Sequence, residues 1–437
     1  MAFASLQTAQ LGRSLAQIAD HEGDHADLYL ERLEDVEVPE NEESPGVMVR
    51  REQGFAVRLL RQGRTWLAAR DRLDSDNLRH ALRQVARAVP SAAYLPEIPL
   101  SEPWNEEYAV DEVLAFPSRV REQIRQSHVA FPTLLNCGRH RRLVQVVGTR
   151  FVSEAEHEKF YSFVAELPWT RHGVLLPRLG EHEAEGVVRI LIDSFRAREA
   201  PPPKSAAPVT VLGPAATAVL LHEAVAHALE ADTLALGGRA ESACGYRLAS
   251  DLVSVLDDPR GAPEGVSRLS DDEGIPTIRR WLLQRGEIRE PLADILHAGQ
   301  SVMLSPGAAR RGNRHLAPVP RSLHLELLSG ETDSADLLAQ GDGGLFLPLA
   351  SRGTLDPLSG EVEIQFPYGR RISKGVAADF VGPCRLRGTV AALLQAVTAV
   401  GSEQEFAGAG WCAKGGHRLA VWATCPSLRL EGLEVAA

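Results

Sequence analysis

Hydrophobic residues in the first 200 positions follow helical and strand-like periods in turn. Apolar residues at helical spacing open the chain, and residues 26–31 then alternate between polar and apolar types as a strand does. Two strand-like runs separated by Gln62-Gly63 predict a β-hairpin. The predicted elements are a helix at about 6–18, strands at 26–31, 55–60, 65–68 and 143–147, and helices beginning near Ser75 and spanning about 118–127 and 183–198. These patterns predict a mixed α/β arrangement with helices beside antiparallel strands.

A proline-rich segment at residues 200–208 separates two differently patterned halves. Successive prolines favour an extended, semi-rigid spacer, and 437 residues are too many for one ordinary core. We therefore predict an α/β (α+β) protein with an N-terminal α/β domain at 1–200 and a β-rich C-terminal domain at 209–437. Its predicted elements are strands at 209–212, 252–256, 325–328, 362–366 and 418–423, and helices beginning at Pro214 and spanning about 387–400.

Composition and charge exclude several classes of protein. The net charge of -11 argues against nucleic acid as the main partner. No apolar run is long enough to span a bilayer, and the first residues lack the apolar region of a signal peptide, so a cytoplasmic location is expected. Five scattered cysteines without C-x-x-C pairs favour reduced thiols over a disulfide framework.

One apolar, alanine-rich segment carries His222, Glu223 and His227. Neutral imidazoles are common zinc ligands, and a neighbouring glutamate can serve as general base toward a water molecule. The spacing H-E-x-x-x-H places the two rings roughly 140° apart around a regular helix, so they would point away from one ion. A one-residue π-bulge would bring both rings to one side. The metal interpretation therefore requires a distorted helix; the alternative is a buried helix whose histidines are hydrogen-bonded inside the fold.

A literal H-E-x-x-H occurs at residues 21–25, with His21 and His25 at its ends. Gly23-Asp24 favours a turn in the middle of what would have to be a helix. The following residues alternate as a strand does. We therefore predict an exposed turn here rather than a metal site.

Two histidines do not complete a catalytic zinc site, which keeps three protein ligands and leaves a fourth position for water. Glu230, three residues after His227, is the local candidate for the third ligand, and Asp232 is a weaker one. Cys412 is a distant candidate, which we expect to come from a strand and to lie in a glycine-rich, polar-flanked turn where a thiolate could reach a metal. The residues alone leave the choice between Glu230 and Cys412 open.

The helix, its lead-in and the C-terminus resemble the TldD/PmbA family of peptidases, also called the modulator of DNA gyrase family. The resemblance is strong after Pro201 and weaker before it, where the predicted hairpin and the next helix resemble the family's first domain. The segments that carry it are Val-Leu-Gly-Pro at 211–214, the histidine segment at 220–230, Asp-Asp-Glu-Gly-Ile-Pro-Thr at 271–277, Ala-Pro-Val-Pro-Arg at 317–321, and 412–417 with 426–430.

The resemblance implies a cytoplasmic zinc metallopeptidase that cleaves small or unfolded peptides, including leader segments. It implies a dimer, with an identical or a related chain as partner, and no nucleic acid or membrane partner. It further implies that His222, His227 and Cys412 bind Zn²⁺ and that Glu223 is the general base. Four positions depart from the family pattern by adding bulk near the site, which bears on substrate choice more than on metal binding: Ala226, Trp411, Ala413 and His417.

Two other functions remain open on the sequence. Cys412 could be the nucleophile of a thiol hydrolase with His417 as its base. Alternatively, the chain could be a non-catalytic peptide-binding or scaffold subunit, although a structural site has no need of Glu223.

Four arginines are also notable, since arginine can bind a peptide carboxyl group. We expect Arg310, Arg311 and Arg314 to lie in a solvated loop, with Arg321 as the functional candidate.

Overall fold

The computed structural model describes residues 8–39, 46–86, 110–203, 208–238 and 243–437. Its first part contains one antiparallel six-stranded sheet, hereafter the first sheet, in the order β3-β2-β1-β4-β5-β6. The elements are α1 Thr8–Ile18, β1 His25–Pro39, β2 Met48–Arg61, β3 Arg64–Arg70, α2 Ser75–Val85, α3 Asp111–Gln126, β4 Leu134–Gly148, β5 Glu156–Leu167, β6 Thr170–Leu176 and α4 Glu181–Ala197. The predicted helices and the hairpin are therefore confirmed.

Strands β5 and β6 were not predicted from the sequence. The alternation in β5 is hidden because Glu156 and Glu158, which look like solvent-facing residues, are buried. Their carboxylates bind groups of the second half of the chain, including the Ser270 backbone and Arg268. A polar residue that is buried with a partner from a distant segment cannot be recognised from local periodicity.

The two faces of the first sheet have different partners because side chains alternate along each strand. In β1, Leu28 and Leu30 pack under α1 and α2 with Leu11 and Leu78. A second apolar cluster under α3 and α4 continues this face. The opposite face presents polar side chains toward the second half of the chain.

The second part is dominated by sheets. Its elements are β7 Val209–Leu212, α5 Pro214–Leu221, a π-helical turn His222–Ala226, a 3₁₀ turn His227–Leu229, α6 Ala231–Leu236, β8 Val255–Asp257, β9 Arg280–Gln284, β10 Glu287–Ile288, α7 Ile295–Ala298, β11 Ala309–Arg310, β12 Val319–Pro320, β13 His324–Leu327, α8 Ser334–Ala339, β14 Leu345–Leu347, β15 Arg352–Leu355, β16 Glu361–Phe366, β17 Gly369–Ser373, β18 Val376–Val381, β19 Cys384–Thr389, α9 Val390–Gln395, β20 Val397–Val400, β21 Glu405–Lys414, β22 His417–Cys425, β23 Leu428–Glu431 and β24 Val435–Ala436.

These strands form two six-stranded sheets, ordered β10-β9-β8-β13-β22-β21 and β18-β17-β14-β7-β23-β20, with a four-stranded sheet β15-β16-β19-β24 and a small pair β11-β12. The largest apolar cluster of the described residues surrounds α5 and the π-helical turn. Leu220, Leu221 and Val225 are fully buried there. A helix that is apolar on all sides belongs in a core, which explains why this segment lies between sheets.

The helix predicted at about 387–400 is wrong in its extent, since only α9 is helical. Thr389 caps its start by accepting a hydrogen bond from the Ala392 amide. Residues before and after it are strands, and β-branched Val397 and Val400 favour that conformation. The strand predicted at 252–256 is likewise shorter and later, because β8 begins at Val255.

A buried charge network joins the polar face of the first sheet to the second half of the chain. Asp27 Oδ2 accepts a hydrogen bond from Arg58 Nε at 2.6 Å, and its Oδ1 accepts one from Arg311 Nη2 at 2.9 Å. Arg58 Nη1 also donates to Glu273 at 2.6 Å. The Arg314 amide donates to Glu31 Oε2 at 3.0 Å. Buried charges need such partners, since an unpaired one carries a desolvation cost of several kcal/mol.

The solvated loop predicted for three arginines is therefore wrong. Arg310, Arg311 and Arg314 are all buried. They bind carboxylates and carbonyl oxygens of the network, so their guanidinium groups stabilise the fold and are not free to bind a ligand.

Among the described residues, no helix is both long and apolar enough to cross a bilayer. The division into domains at 1–200 and 209–437 stays a prediction.

Candidate metal centre

The helix that begins at Pro214 changes its winding at His222. Gly213 precedes it, and a Cβ there would lie 2.8 Å from the Pro348 carbonyl oxygen, so only a glycine lets the chain pass this close to Pro348. Residues His222–Ala226 form a π-helical turn, and His227 donates its amide to the His222 carbonyl. This is the distortion that the metal interpretation required. It places the ring centroids of His222 and His227 4.3 Å apart.

Cys412 completes a buried group of three ligand atoms. One ring nitrogen of His222, one of His227 and the Cys412 Sγ all lie within 4.8 Å of one another. His227 Nε2 is 3.4 Å from Cys412 Sγ. Two imidazoles and a thiolate form a ligand set that zinc commonly takes. The structure thus brings together the three residues that the resemblance implied as ligands.

His222 provides an independent indication that this group binds something. Both of its ring nitrogens are buried and have no hydrogen-bond partner among the described residues. Burial, followed by the neighbouring His227, lowers the pKa of His222 well below its usual value. A buried polar atom without a partner is costly. A neutral imidazole with a free lone pair is the form that binds a metal ion.

Glu230 holds His227 from the side opposite Cys412. His227 Nδ1 lies 2.9 Å from both carboxylate oxygens of Glu230, which is fully buried. A carboxylate in this position fixes the ring orientation and directs Nε2 toward the metal position. Glu230 is therefore a hydrogen-bond partner of His227, and the group of ligand atoms that lie close together contains Cys412 rather than Glu230.

Two cations surround the Glu230 carboxylate. Arg321 Nη1 donates to it at 3.0 Å and Lys414 Nζ at 2.6 Å. Burial alone would raise the pKa of Glu230, but His227, Arg321 and Lys414 lower it to about 2. Arg321 also binds Asp232 at 3.1 Å. Its guanidinium thus supports the metal centre through Glu230, which is a different role from the predicted binding of a peptide carboxyl group.

Cys412 lies on a strand, as predicted, and the turn in which we expected it follows that strand. Among the described residues, β21 is the edge strand of its sheet and pairs with β22, so that Cys412 is opposite Leu419. The turn begins after Lys414, at Gly415-Gly416, both of which have positive φ. A strand fixes the direction of the Sγ atom more firmly than a turn would, which suits a ligand.

Glu223 lies beside this group with its side chain enclosed. It is 8% exposed, and burial, followed by the charge on Glu230, raises the pKa of its carboxyl group against the lowering effect of His227. Strand β15 crosses over it at Gly353, where a Cβ would lie 2.5 Å from Glu223 Cγ. Only a glycine allows the strand to come this close, so Gly353 belongs to the site although no sequence pattern identified it.

The metal centre opens into a cleft of about 1000 Å³ between the first sheet and the second half of the chain. His222, Glu223, His227 and Cys412 line it together. Its other walls come from β4, β5, β6, β15 and β21. A cleft of this size accommodates a ligand such as an extended peptide.

Two other sequence features lie apart from this centre. His25 opens β1 and is buried against Thr149, while His21 is exposed in the preceding turn beside Asp20 and Asp24. The exposed turn predicted at residues 21–25 is confirmed for residues 21–23, whereas Asp24 and His25 are buried. His417 accepts a hydrogen bond from the Gly312 amide at 3.1 Å, and the imidazole next to Cys412 is that of His227. The predicted pairing of Cys412 with His417 is therefore wrong.

Comparison with known proteins shows which protein family this chain is similar to. Residues 206–437 match the family model described as PmbA/TldA metallopeptidase C-terminal domain. The metalloprotease TldD homolog of Buchnera aphidicola is 29% identical over 257 residues, which cover 58% of this chain and 53% of that protein. A metalloprotease of Methanothermobacter thermautotrophicus is 28% identical over 265 residues, which cover 60% and 55%. The chain thus spans about half the length of the curated relatives it matches.

A solved structure extends the similarity to the whole fold. The crystal structure of TldE from Thermococcus kodakarensis matches 98% of this chain and 99% of that chain with a TM-score of 0.75. The sequence identity is 17%, so the match shows a shared fold alone.

Proposed function

This chain belongs to the PmbA/TldD metallopeptidase family, and on that premise we propose that it is a zinc-dependent peptidase that hydrolyses small or unfolded peptides. The observation that carries the proposal is the buried group of His222, His227 and Cys412 at the wall of the cleft. The two unpartnered nitrogens of His222 fit a bound metal ion, since an imidazole without a ligand has no reason to be buried in this way.

His222, His227 and Cys412 would hold the ion, and Glu230 would orient His227. When bound, zinc supplies Lewis acidity, which polarises a carbonyl group and makes a water molecule easier to deprotonate. We choose zinc because mixed imidazole and thiolate ligands are typical of it and because it has no redox chemistry of its own. Three protein ligands also leave a coordination position open, as a catalytic site requires.

Glu223 is the proton carrier of the proposed reaction. Its carboxylate accepts a proton from the attacking water and delivers it to the nitrogen of the leaving amine. Burial raises the pKa of its carboxyl group toward the working pH, which makes proton transfer in both directions more favourable. The backbone of β15 at Gly353 holds the side chain in place and excludes water from that side.

A thiol hydrolase has one observation in its favour. Cys412 Sγ is 3.4 Å from His227 Nε2, and His227 Nδ1 is bound by Glu230, an order of groups found in cysteine nucleophile sites. This alternative gives no role to the two unpartnered ring nitrogens of His222. It also predicts activity that survives metal removal, so the two mechanisms separate experimentally.

The proposal is tested on the purified full chain by metal analysis and by cleavage of an unstructured peptide library. We expect about one zinc per chain, loss of cleavage with a chelator, and recovery when zinc is restored. His222→Ala should lose both zinc and cleavage, whereas His182→Ala, on the exposed surface of α4, should keep both. Full zinc occupancy in His222→Ala would contradict the site assignment. Cleavage that persists without metal would favour the thiol hydrolase, and a zinc-loaded chain that cleaves nothing would favour a scaffold subunit.

We also propose that the chain works as a dimer with an identical or a related chain. This proposal rests on the family resemblance. Sedimentation of the chain alone and with any related chain encoded beside it tests the assembly. A monomer at micromolar concentration with full peptidase activity would contradict it.

A further inference from the structure

Three polar side chains form a hydrogen-bonded row across the first sheet, apart from the metal ligands. Asp35 on β1 and His140 on β4 are directly opposite each other, and Asp35 Oδ1 is 2.8 Å from His140 Nδ1. His140 Nε2 is 2.8 Å from the Oγ of Ser162 on β5. The row thus runs from a carboxylate through an imidazole to a hydroxyl group. It lies on the polar face of the first sheet.

The order of these groups is that of a serine hydrolase triad. With the ring proton on Nδ1, His140 donates to Asp35, and its Nε2 accepts the hydrogen bond from the Ser162 hydroxyl group. A base placed in this way takes the serine proton as the oxygen attacks, while the carboxylate holds the ring and stabilises its cation. Triads occur on unrelated folds and are recognised by geometry rather than by sequence order.

The surroundings fix the imidazole and expose the nucleophile. The His140 ring stacks on Phe160 at 5.0 Å between centroids and meets the edge of Trp411 at 5.2 Å. Gly138 lies opposite Ser162, where a Cβ would approach the Ser162 Oγ to 2.7 Å. The glycine therefore leaves the hydroxyl group room. Ser162 and Gly138 both line the same cleft as the metal centre.

Arg418 is the available donor for a developing oxyanion. Its guanidinium lies 3.9 Å from the Trp411 ring centroid, which places it on the aromatic residue that contacts His140. It lines the cleft and is exposed, and no carboxylate of the described ranges pairs with it. Cationic donors of this kind stabilise negative charge that develops on a carbonyl oxygen.

We propose that Asp35, His140 and Ser162 form a second hydrolytic centre, which cleaves carboxylic esters that enter the cleft. The Ser162 Oγ attacks the carbonyl carbon and its proton moves to His140 Nε2. The ester C–O bond then breaks, and the leaving alkoxide takes that proton. Water attacks the acyl-serine as its proton passes to His140, the bond to Ser162 breaks, and the proton returns to the Ser162 Oγ. The products are one acid and one alcohol.

An ester is the substrate class that the geometry favours. The donor that we identify beside the triad is one flexible side chain, Arg418, whereas efficient amide hydrolysis relies on a preorganised set of donors. An alkoxide or phenolate also leaves more easily than an amine. The centre uses none of the metal ligands, so its test does not depend on whether the proposed peptidase function is correct.

A second serine–histidine pair provides a matched control. His172 Nε2 is 2.9 Å from the Oγ of Ser194, and among the described residues no carboxylate binds the other ring nitrogen of His172. Ser194 is also buried rather than open to the cleft face that carries the triad. A serine–histidine contact without the orienting carboxylate should not make a nucleophile. Ser194→Ala is therefore expected to behave as the parent protein.

The test uses the full chain after metal removal, with a fluorophosphonate probe and p-nitrophenyl butyrate as substrate. We expect one covalent adduct, mapped to Ser162 by peptide mass analysis, and ester hydrolysis above the buffer rate. Ser162→Ala and His140→Ala should lose both, while Ser194→Ala keeps both. No adduct on the parent chain, an adduct on another serine, or unchanged hydrolysis in Ser162→Ala would overturn the proposal. Mapping the adduct on the parent chain tests the proposal even if a variant fails to fold.

Asp35 acts through His140 and is thus a positioning residue. Asp35→Asn should lower kcat for the ester by roughly 10²-fold, since it removes the charge that supports a protonated imidazole. KM should change little because Asp35 does not contact the substrate, and Asp35→Glu should restore part of kcat. A purely structural role would instead change the melting temperature and leave kcat of the folded fraction unchanged, and that result would contradict the triad.

Discussion

Replacing Gly353 by alanine tests whether the position of Glu223 controls catalysis. The added methyl group would lie 2.5 Å from Glu223 Cγ and 2.8 Å from Val219 Cγ1. Carbon atoms pack at about 3.5–4.0 Å, so the carboxylate or strand β15 must move by about 1 Å. The variant changes no titratable group and no metal ligand.

A displacement of this size has a predictable cost. Misplacing a reacting group by about 1 Å can lower the rate about 10²-fold, and overpacking of this kind typically destabilises a fold by about 1–3 kcal/mol. We therefore expect Gly353→Ala to retain zinc and to lose roughly 10²-fold in kcat for peptide cleavage. We expect the zinc to be retained because the three atoms nearest to the added methyl group belong to Glu223 and Val219.

The assay is peptide cleavage at saturating substrate, with zinc content and melting temperature measured on the same sample. Gly186→Ala in α4 is the matched control, since a Cβ there meets nothing within 4 Å. Alanine in a helix interior is favoured over glycine by about 0.5–1 kcal/mol, so this control should be slightly stabilised and fully active. An unchanged kcat in Gly353→Ala would show that the reaction does not depend on the placement of Glu223.

Three further changes probe separate parts of the structure. Glu223→Gln keeps the shape but cannot accept the proton, so zinc and peptide binding should remain while cleavage falls about 10²–10⁴-fold; a near-normal rate would end its role as base. Glu230→Gln should weaken zinc affinity about 10–100-fold by releasing His227, as measured by competition with a chelator; unchanged affinity would contradict the orienting role. Arg311→Met leaves Asp27 short of one buried partner, and should lower the free energy of unfolding by about 3–5 kcal/mol in denaturant titrations; a change below experimental error would contradict the energetic role of the charge network.

Local sequence signals predicted the parts of the fold that depend on neighbouring residues. Gln62-Gly63 fixed the hairpin because a two-residue turn needs positive φ, and both residues have it. The spacing of His222 and His227 predicted the π-helical turn, because side chains five residues apart point in different directions on a regular helix. These inferences succeed because the physical constraint acts within a few residues.

Other parts of the site depend on contacts that no local pattern contains. Glu230 could be a ligand or a partner of His227, and only the backbone path through the 3₁₀ turn decides this. Gly353 is separated from Glu223 by more than a hundred residues, and its closeness is a property of the folded strand. The arginines near residue 311 were predicted to be solvated because partners such as Asp27 and Asp71 lie more than 200 residues away in the chain.

The charge network also has a consequence for how the chain is synthesised. Asp27 and Arg311 are 284 residues apart, and Glu31 and Arg314 are 283 apart. At about 5–20 residues per second, a ribosome needs roughly 15–60 s to produce the second partner after the first. Arg58 can neutralise Asp27 within that interval because it follows after only 31 residues. Glu31 has the Tyr29 hydroxyl group nearby but must wait longer for Arg142 and Arg314, so the nascent first sheet keeps its polar face hydrated until the second half of the chain emerges and covers it.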